Sequence, residues 1–254
     1  MKINRELIKK FNNSISINAD LSNYSWFNLG GPAEYLFKPK NESQLIEFLK
    51  SNRANKLKLT ILGAGSNTLI RDKGVKGVVL KLSSGFSQIK LIEKDIIQAG
   101  AATLDRKVSN FAKDNNISNF EFLSCIPGSI GGAVIMNSGC YDNDISKILI
   151  SIRAIDINQC IEREITRNEI EFYYRGTNLS KDLIITSVKL KGKIKPKGMI
   201  EKIQNELIEK KKISQPSQIK TCGSTFKNLS NDKKAWKLIK DSGCEDLREG
   251  DAAL

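Results

Sequence analysis

Apolar positions recur at helical spacing in four separated stretches of the chain. After Asn41 and Glu42, the residues Leu45, Ile46, Phe48 and Leu49 fall on or near one face, which predicts a helix ending near Asn52. Thr103 reads as the N-cap of a second helix, because Leu104, Val108, Phe111 and Ala112 follow at helical intervals until Asn115-Asn116. A third follows Pro196-Lys197-Gly198, with Ile200, Ile203 and Leu207 along one side. Lys210, Lys211 and Lys212 fall in its last turns, where positive charge complements the helix dipole, and Pro216 lies just beyond. A fourth carries Ala235, Trp236 and Ile239 and stops near Gly243, a residue suited to a helix C-cap. Other apolar runs have strand character: Leu57 to Leu62, Val75 to Leu82, Ile89 to Gln98, Ile148 to Ile157 and Leu183 to Lys191. Short strands, few helices and several glycine-rich turns predict an α+β protein. The Lys/Gly/Pro stretch 191–198 is the main candidate boundary, and Ser83-Ser84-Gly85 is a softer one.

Composition narrows the chemistry. At 254 residues the chain suits one large domain or two to three small ones, and its 40% hydrophobic content suffices for a core. Histidine is absent, which excludes Ser-His-Asp and Cys-His nucleophilic machinery, His-ligated zinc and an imidazole base. Acid–base work then falls to Ser, Tyr, Lys, Cys, Asp or Glu, or to a cofactor. Cysteines 125, 140, 160, 222 and 244 form neither a CxxC pair nor a metal-like spacing, and read as reduced cytosolic thiols with no metal site. No apolar run is long enough to span a membrane, and the first twenty residues lack the apolar segment of a secretory signal, so a cytoplasmic location is expected. The net charge of +13 invites a nucleic-acid reading. However, the basic residues are mostly lysines spread along the chain and diluted with acids, as in Glu201-Lys202-Ile203-Gln204-Asn205-Glu206. Aromatic residues do not interleave with a basic stripe. A solvated surface that also attracts an anionic small molecule is the preferred reading, with no nucleic-acid partner.

Two glycine-rich loops and two short motifs carry candidate chemistry. Gly63-Ala64-Gly65-Ser66-Asn67 directly follows a strand, yet Thr68 holds the third glycine position of a dinucleotide fingerprint and no helix pattern comes next. Its amides and the Ser66 and Asn67 side chains can cradle a diphosphate, or the segment can be a tight connecting turn. The second loop is Ile126-Pro127-Gly128-Ser129-Ile130-Gly131-Gly132-Ala133, whose small residues let the backbone pass close to a large ligand. Phe172-Tyr173-Tyr174-Arg175 is either a surface cation–π cluster or a guanidinium set for a carboxylate. In Gly223-Ser224-Thr225-Phe226-Lys227-Asn228, Ser224 has no histidine to activate it as a nucleophile, so it is a structural turn residue or a proton donor. Cys125 and Cys140 are the cysteines beside the second loop.

Taken in order, these segments, with Asn28-Leu29-Gly30-Gly31-Pro32-Ala33, resemble the UDP-N-acetylenolpyruvoylglucosamine reductase family of bacterial cell-wall flavoenzymes. The resemblance implies an FAD-binding domain of the p-cresol methylhydroxylase type, with lobes at 1–82 and 83–192 and a substrate-binding lobe at 193–254. It also implies FAD and NADPH as cofactors, a UDP-sugar substrate, and action as a monomer in peptidoglycan precursor synthesis. By motif, the cofactor-binding positions are Gly63, Ala64, Gly65, Ser66, Asn67, Pro127, Gly128, Ser129, Gly131 and Gly132. Arg175 matches the residue that holds the substrate carboxylate, and Ser224 the proton donor. Tyr174, Lys212 and Asn228 match substrate-binding positions. Leu229 stands where the family has proline, and Asp251 where it has glycine. The family's closing segment, with its catalytic glutamate, has no counterpart before Leu254. A C-terminally shortened member with an incomplete third lobe is therefore expected, with a catalytically impaired flavin- or UDP-sugar-binding remnant as the alternative.

Overall fold

The computed structural model describes residues 5–215, 223–230 and 233–253; Pro216, Cys222 and Leu254 lie outside them. These residues form two compact units, one within 1–221 and one within 222–254.

The first unit contains two sheets. In the first, β1 (Ile15–Asp20) pairs antiparallel with β2 (Pro32–Phe37), while β3 (Leu59–Ile61) and β2 both run parallel to β4 (Val75–Leu80), giving the order β1-β2-β4-β3. Parallel neighbours cannot be joined by a tight turn. The chain from β2 to β3 therefore crosses over through α2 (Glu42–Asn55), and the chain from β3 to β4 makes a long return through residues 62–74. That return is the first glycine loop. Helix α2 starts where Asn41 accepts the Gln44 N–H at 2.9 Å, and it ends at Lys56 in the left-handed conformation. Its Leu45, Phe48 and Leu49 are buried. Phe48 stacks on Phe37 of β2 with ring centroids 3.9 Å apart, and Phe11, just after α1 (Arg5–Lys10), meets both rings edge-on.

The second sheet is antiparallel throughout. Its strands are β5 (Ile89–Glu93), β6 (Ile96–Gly100), β7 (Leu149–Asp156), β8 (Ile161–Thr166) and β9 (Leu183–Lys191), in the order β8-β7-β9-β6-β5. Ile97, Ile152, Val188 and Leu190 form a core with Val108 and Ala112 of α3 (Asp105–Asp114) and with Ile130 and Val134 of α4 (Ile130–Ile135). Ile155 and Ile184 instead join the Phe37–Phe48 cluster, so the two sheets share one core. Helix α5 (Lys197–Ser214) packs back onto this unit, with Gln204 donating to Ser109 of α3 at 2.9 Å.

The second unit holds α6 (Ala235–Asp241) and a short antiparallel pairing of Arg248–Glu249 with Ala252–Ala253. Leu229, Trp236 and Leu247 are exposed in it.

Three expectations change. The helix after Thr103 takes Leu104 as its N-cap with no side-chain cap bond, because the Thr103 side chain is buried. The run from Ile89 to Gln98 is two strands, broken by a turn at Lys94-Asp95 that reverses the chain. Residues 130–135, which read as loop, form α4. Among the described residues no helix is long and apolar enough to cross a membrane.

Phe48 fills the junction between α2 and β2, so Phe48→Ala is expected to lower stability by about 3–5 kcal/mol, measured by denaturant unfolding.

Candidate cofactor and substrate site

The two glycine loops meet. A Cβ built on Gly63 would stand 3.1 Å from the Ser129 hydroxyl. Gly65 has φ +73°, and any side chain there would strike the Tyr24 carbonyl at 1.8 Å, so both conformation and contact demand glycine. Across from it, the Ile130 and Gly131 N–H groups donate to the carbonyls of Thr103 and Ala101 at 2.9 and 3.0 Å, and the Asp105 N–H donates to the Gly128 carbonyl at 3.1 Å. These bonds hold the second loop against the segment leading into α3. A Cβ on Gly131 would lie 2.8 Å from that of Ala101, and one on Gly128 would lie 2.6 Å from Asp105 Oδ2 and 3.7 Å from Ser66 Oγ. Gly128 is thus the point where Asp105, Ser66 and the second loop converge. Pro127 adjoins it half-buried, and Gly132 is exposed.

Among the described residues, no backbone carbonyl accepts from the amides of Gly63, Ala64, Gly65, Ser66, Asn67, Gly128 or Ser129. The buried Thr103 hydroxyl and both carboxyl oxygens of Asp105 also lack protein partners. Burial pushes the Asp105 pKa up to about 8, so the group is a neutral acid able to donate as well as accept. Unpaired amides and buried polar groups gathered between two glycine loops fit the diphosphate and hydroxyls of a dinucleotide cofactor.

A cleft of about 410 Å³ opens beside Ala64, lined also by Asn23, Tyr24, Ser25, Trp26, Asn28 and Lys81. Lys81 donates to the Gly63 carbonyl, and its ammonium and that of Lys38 lie 5.6 and 5.7 Å from the Tyr24 ring centroid. Burial and then the charge of Lys38 pull the Lys81 pKa below its usual range. Lys81, Thr103 and Asp105 belong to no motif, so sequence reasoning misses them as site residues. Lys81 does carry a signal, a lysine directly after the apolar run Val78-Val79-Leu80 and before Leu82.

Tyr174 and Arg175 form the turn of a small hairpin, Phe172–Tyr173 against Gly176–Thr177. Arg175 has φ +61°, a left-handed conformation strained for a side-chain-bearing residue. Its guanidinium lies 5.1 Å from the Tyr174 ring centroid and donates to the Gly139 carbonyl at 2.8 Å. It is half-buried, so the arrangement combines both readings of this motif: a cation–π contact with N–H groups left over for a carboxylate. The hairpin packs on the end of α4, where Thr177 donates to the Ile135 carbonyl at 3.4 Å. One short helix thereby joins the second glycine loop at its start to the arginine hairpin at its end.

Lys212 lies on the last turn of α5, exposed and paired with Glu209 at 2.6 Å. Its neighbour Lys211 is the residue that reaches back to the second loop, donating to the Cys125 carbonyl. Ser224 and Asn228 belong to the second unit; Ser224 is exposed, and Asn228 accepts the Ala235 N–H at 3.0 Å, which orders the entry to α6.

Residues 33–159 match the model of an FAD binding domain. The chain is 48% identical to the UDP-N-acetylenolpyruvoylglucosamine reductase of Pelagibacter ubique, over 98% of this chain and 84% of the relative. It is 42% identical to the enzyme of that name from Rickettsia akari, over 92% and 78%. Among solved structures, it resembles the UDP-N-acetylenolpyruvylglucosamine reductase of Thermus caldophilus with a TM-score of 0.81 at 30% identity, over 94% of this chain and 83% of that one. Cholesterol oxidase from Brevibacterium sterolicum, at 16% identity and a TM-score of 0.51 over 72% of this chain and 38% of that one, shares the fold alone.

Asp105 supplies a pH test. The unfolded chain releases this proton near the ordinary value of 3.8, and the folded protein holds it until about pH 8. Its stabilising effect is full below 3.8 and declines as pH rises towards 8. Asp105→Asn removes the titration, so in flavin-free protein its melting temperature should gain on wild type between about pH 4 and pH 8. A constant difference across that range would mean that Asp105 ionises normally.

Proposed function

The chain belongs to the UDP-N-acetylenolpyruvoylglucosamine reductase family, and from that membership we propose that it reduces the enolpyruvyl group of UDP-N-acetylenolpyruvoylglucosamine to UDP-N-acetylmuramate with NADPH. The setting is peptidoglycan precursor synthesis in the cytoplasm, by a monomer. The observation that carries this reading is the 48% identity to a reductase of that name along nearly the whole chain. Nothing in the fold or among the relatives favours a remnant without turnover.

Bound FAD supplies the redox chemistry, by which reducing equivalents from NADPH reach the substrate double bond as hydride. The protein's part is to hold the cofactor, orient the substrate and deliver a proton. The amides of Gly63 to Asn67 and of Gly128 and Ser129 would hold the diphosphate of bound FAD, with Pro127, Gly131 and Gly132 shaping the second loop. Asp105 and Thr103, whose buried polar atoms lack protein partners, would hydrogen-bond to the same cofactor. Arg175 presents its free N–H groups to the substrate carboxylate, where a fixed cation stabilises the negative charge that develops as hydride adds. Tyr174 supports the guanidinium from its ring face. Ser224 Oγ donates the proton to the carbon next to the one that receives hydride. Asn228 and Lys212 contact the substrate, the lysine through its diphosphate. Residues 1–82 and 83–192 serve as the flavin lobes and 193–254 as the substrate lobe.

The decisive measurement is the flavin absorbance of the purified protein, followed anaerobically on adding NADPH and then substrate. Bleaching by NADPH and recovery with substrate are expected; a colourless protein that cannot be reconstituted with FAD would sink the proposal. In Ser224→Ala, bleaching by NADPH should persist, while reoxidation by substrate slows by about 10²–10⁴-fold. Equal slowing of both steps would remove Ser224 from the proton-donor role.

A further inference from the structure

Cys125 and Cys140 flank the second glycine loop and have no part in the chemistry above. Cys125 ends the short 3-10 turn Glu121–Cys125 that leads into Ile126 and Pro127, and Cys140 closes the strand Gly139–Cys140 that follows α4. Both are free thiols, Cys125 buried and Cys140 half-buried. The fold brings them back together. Cys140 Sγ donates to the Phe122 carbonyl at 3.4 Å, in the turn that carries Cys125, so the strand that ends at Cys140 lies against that turn and each thiol perturbs the titration of the other. Tyr141 and Asp142 form a tight left-handed turn directly after Cys140, between the paired segments Gly139–Cys140 and Asn143–Asp144.

The surroundings differentiate the two sulfurs. Ser124 Oγ sits 3.7 Å from Cys125 Sγ, and Lys211, which donates to the Cys125 carbonyl, brings a positive charge beside it. The Cys140 thiol, Ser124 and Lys211 together favour the Cys125 thiolate and lower its pKa, whereas the neighbouring thiolate and burial raise that of Cys140. A thiolate with a protonated thiol in contact is the arrangement of an attacking and a resolving cysteine.

We propose that Cys125 and Cys140 form a peroxide-responsive dithiol site, whose disulfide staples the two ends of the second glycine loop. The Cys125 thiolate attacks one oxygen of hydrogen peroxide, the O–O bond breaks, and the other oxygen leaves as water after taking up a proton. The Cys140 sulfur then attacks the sulfenic acid. An S–S bond forms, the S–O bond breaks, and the hydroxyl departs as a second water with the Cys140 proton. The two sulfurs are oxidised by two electrons in total, and one peroxide is reduced to two waters. The cross-link encloses Pro127 to Gly132 and α4. It also ties down the residue next to Gly139, whose carbonyl holds Arg175. On the reading of Arg175 as the carboxylate clamp, oxidation therefore slows substrate reduction.

The test treats the FAD-loaded protein with hydrogen peroxide and reads intact mass, disulfide-mapped peptides and turnover. A loss of about 2 Da, mapped to Cys125–Cys140 and reversed by dithiothreitol, is expected. Turnover should fall about tenfold to a hundredfold and recover with the mass. Cys140→Ser should stop at a gain of about 16 Da, trapped on Cys125 by dimedone, and Cys125→Ser should leave residue 140 unoxidised. Cross-linking only through other cysteines, or over-oxidation of Cys125 in wild type with no disulfide, overturns the site. A Cys125–Cys140 cross-link that leaves turnover unchanged overturns its coupling to Arg175. If untreated protein lacks turnover, the function proposed above fails, yet the mass and peptide map still decide the dithiol.

Discussion

The N–H groups of Ile130 and Gly131 bond to the carbonyls of Thr103 and Ala101, and this backbone contact sets the geometry of the cofactor region. It requires the chain at Gly131 to come within a methyl's width of Ala101, so no larger residue can stand there. Once that contact forms, Gly128 is carried over Asp105, Ser129 faces Gly63, and α4 points its far end at the arginine hairpin. Groups from separate chain segments are thus placed by a few hydrogen bonds of ordinary strength. Such bonds contribute about 1 kcal/mol each in net terms, but their loss here would leave buried polar groups unpaired, which is the larger penalty.

That penalty is already partly present. Asp105 and Thr103 bury polar atoms without protein partners, whereas buried polar groups in folded proteins are mostly satisfied. The region is consequently less stable than its packing alone would make it, and a ligand that supplies the missing partners stabilises the fold as it binds. The shared Phe37–Phe48 core offsets this, locking the two sheets behind the site into one body.

Much of the site is legible in the sequence because glycine is informative when it is dense. Gly65 and Gly131 lie against the backbone of Tyr24 and against Ala101, Gly63 and Gly128 against the Ser129 and Asp105 side chains, and their clustering along the chain marks both loops. What stays hidden depends on tertiary contact. Two adjacent glycines disguise α4, since glycine disfavours an isolated helix, and packing on β6 and β9 overrides that preference. Strand β1 shows no alternation to read, as Ile15 is its only buried residue, and Pro32 at the start of β2 signals a turn. Asp105 looks like an ordinary first-turn acid; that it is buried follows from Gly128 lying over it, a contact between residues distant in sequence. Thr103 has the chemistry of an N-cap, yet a neighbouring loop claims its carbonyl and the interior takes its side chain.

Arg175 carries a consequence of a different kind. A side-chain-bearing residue in the left-handed region destabilises its turn by about 1–2 kcal/mol relative to glycine, and a two-residue hairpin is where glycine would fit without strain. The side chain itself offsets part of that cost, through its bond to the Gly139 carbonyl and its contact with the Tyr174 ring. Replacing it by glycine would relax the backbone and cut both ties at once, so the turn trades local strain for an anchor between the hairpin and the strand that follows α4.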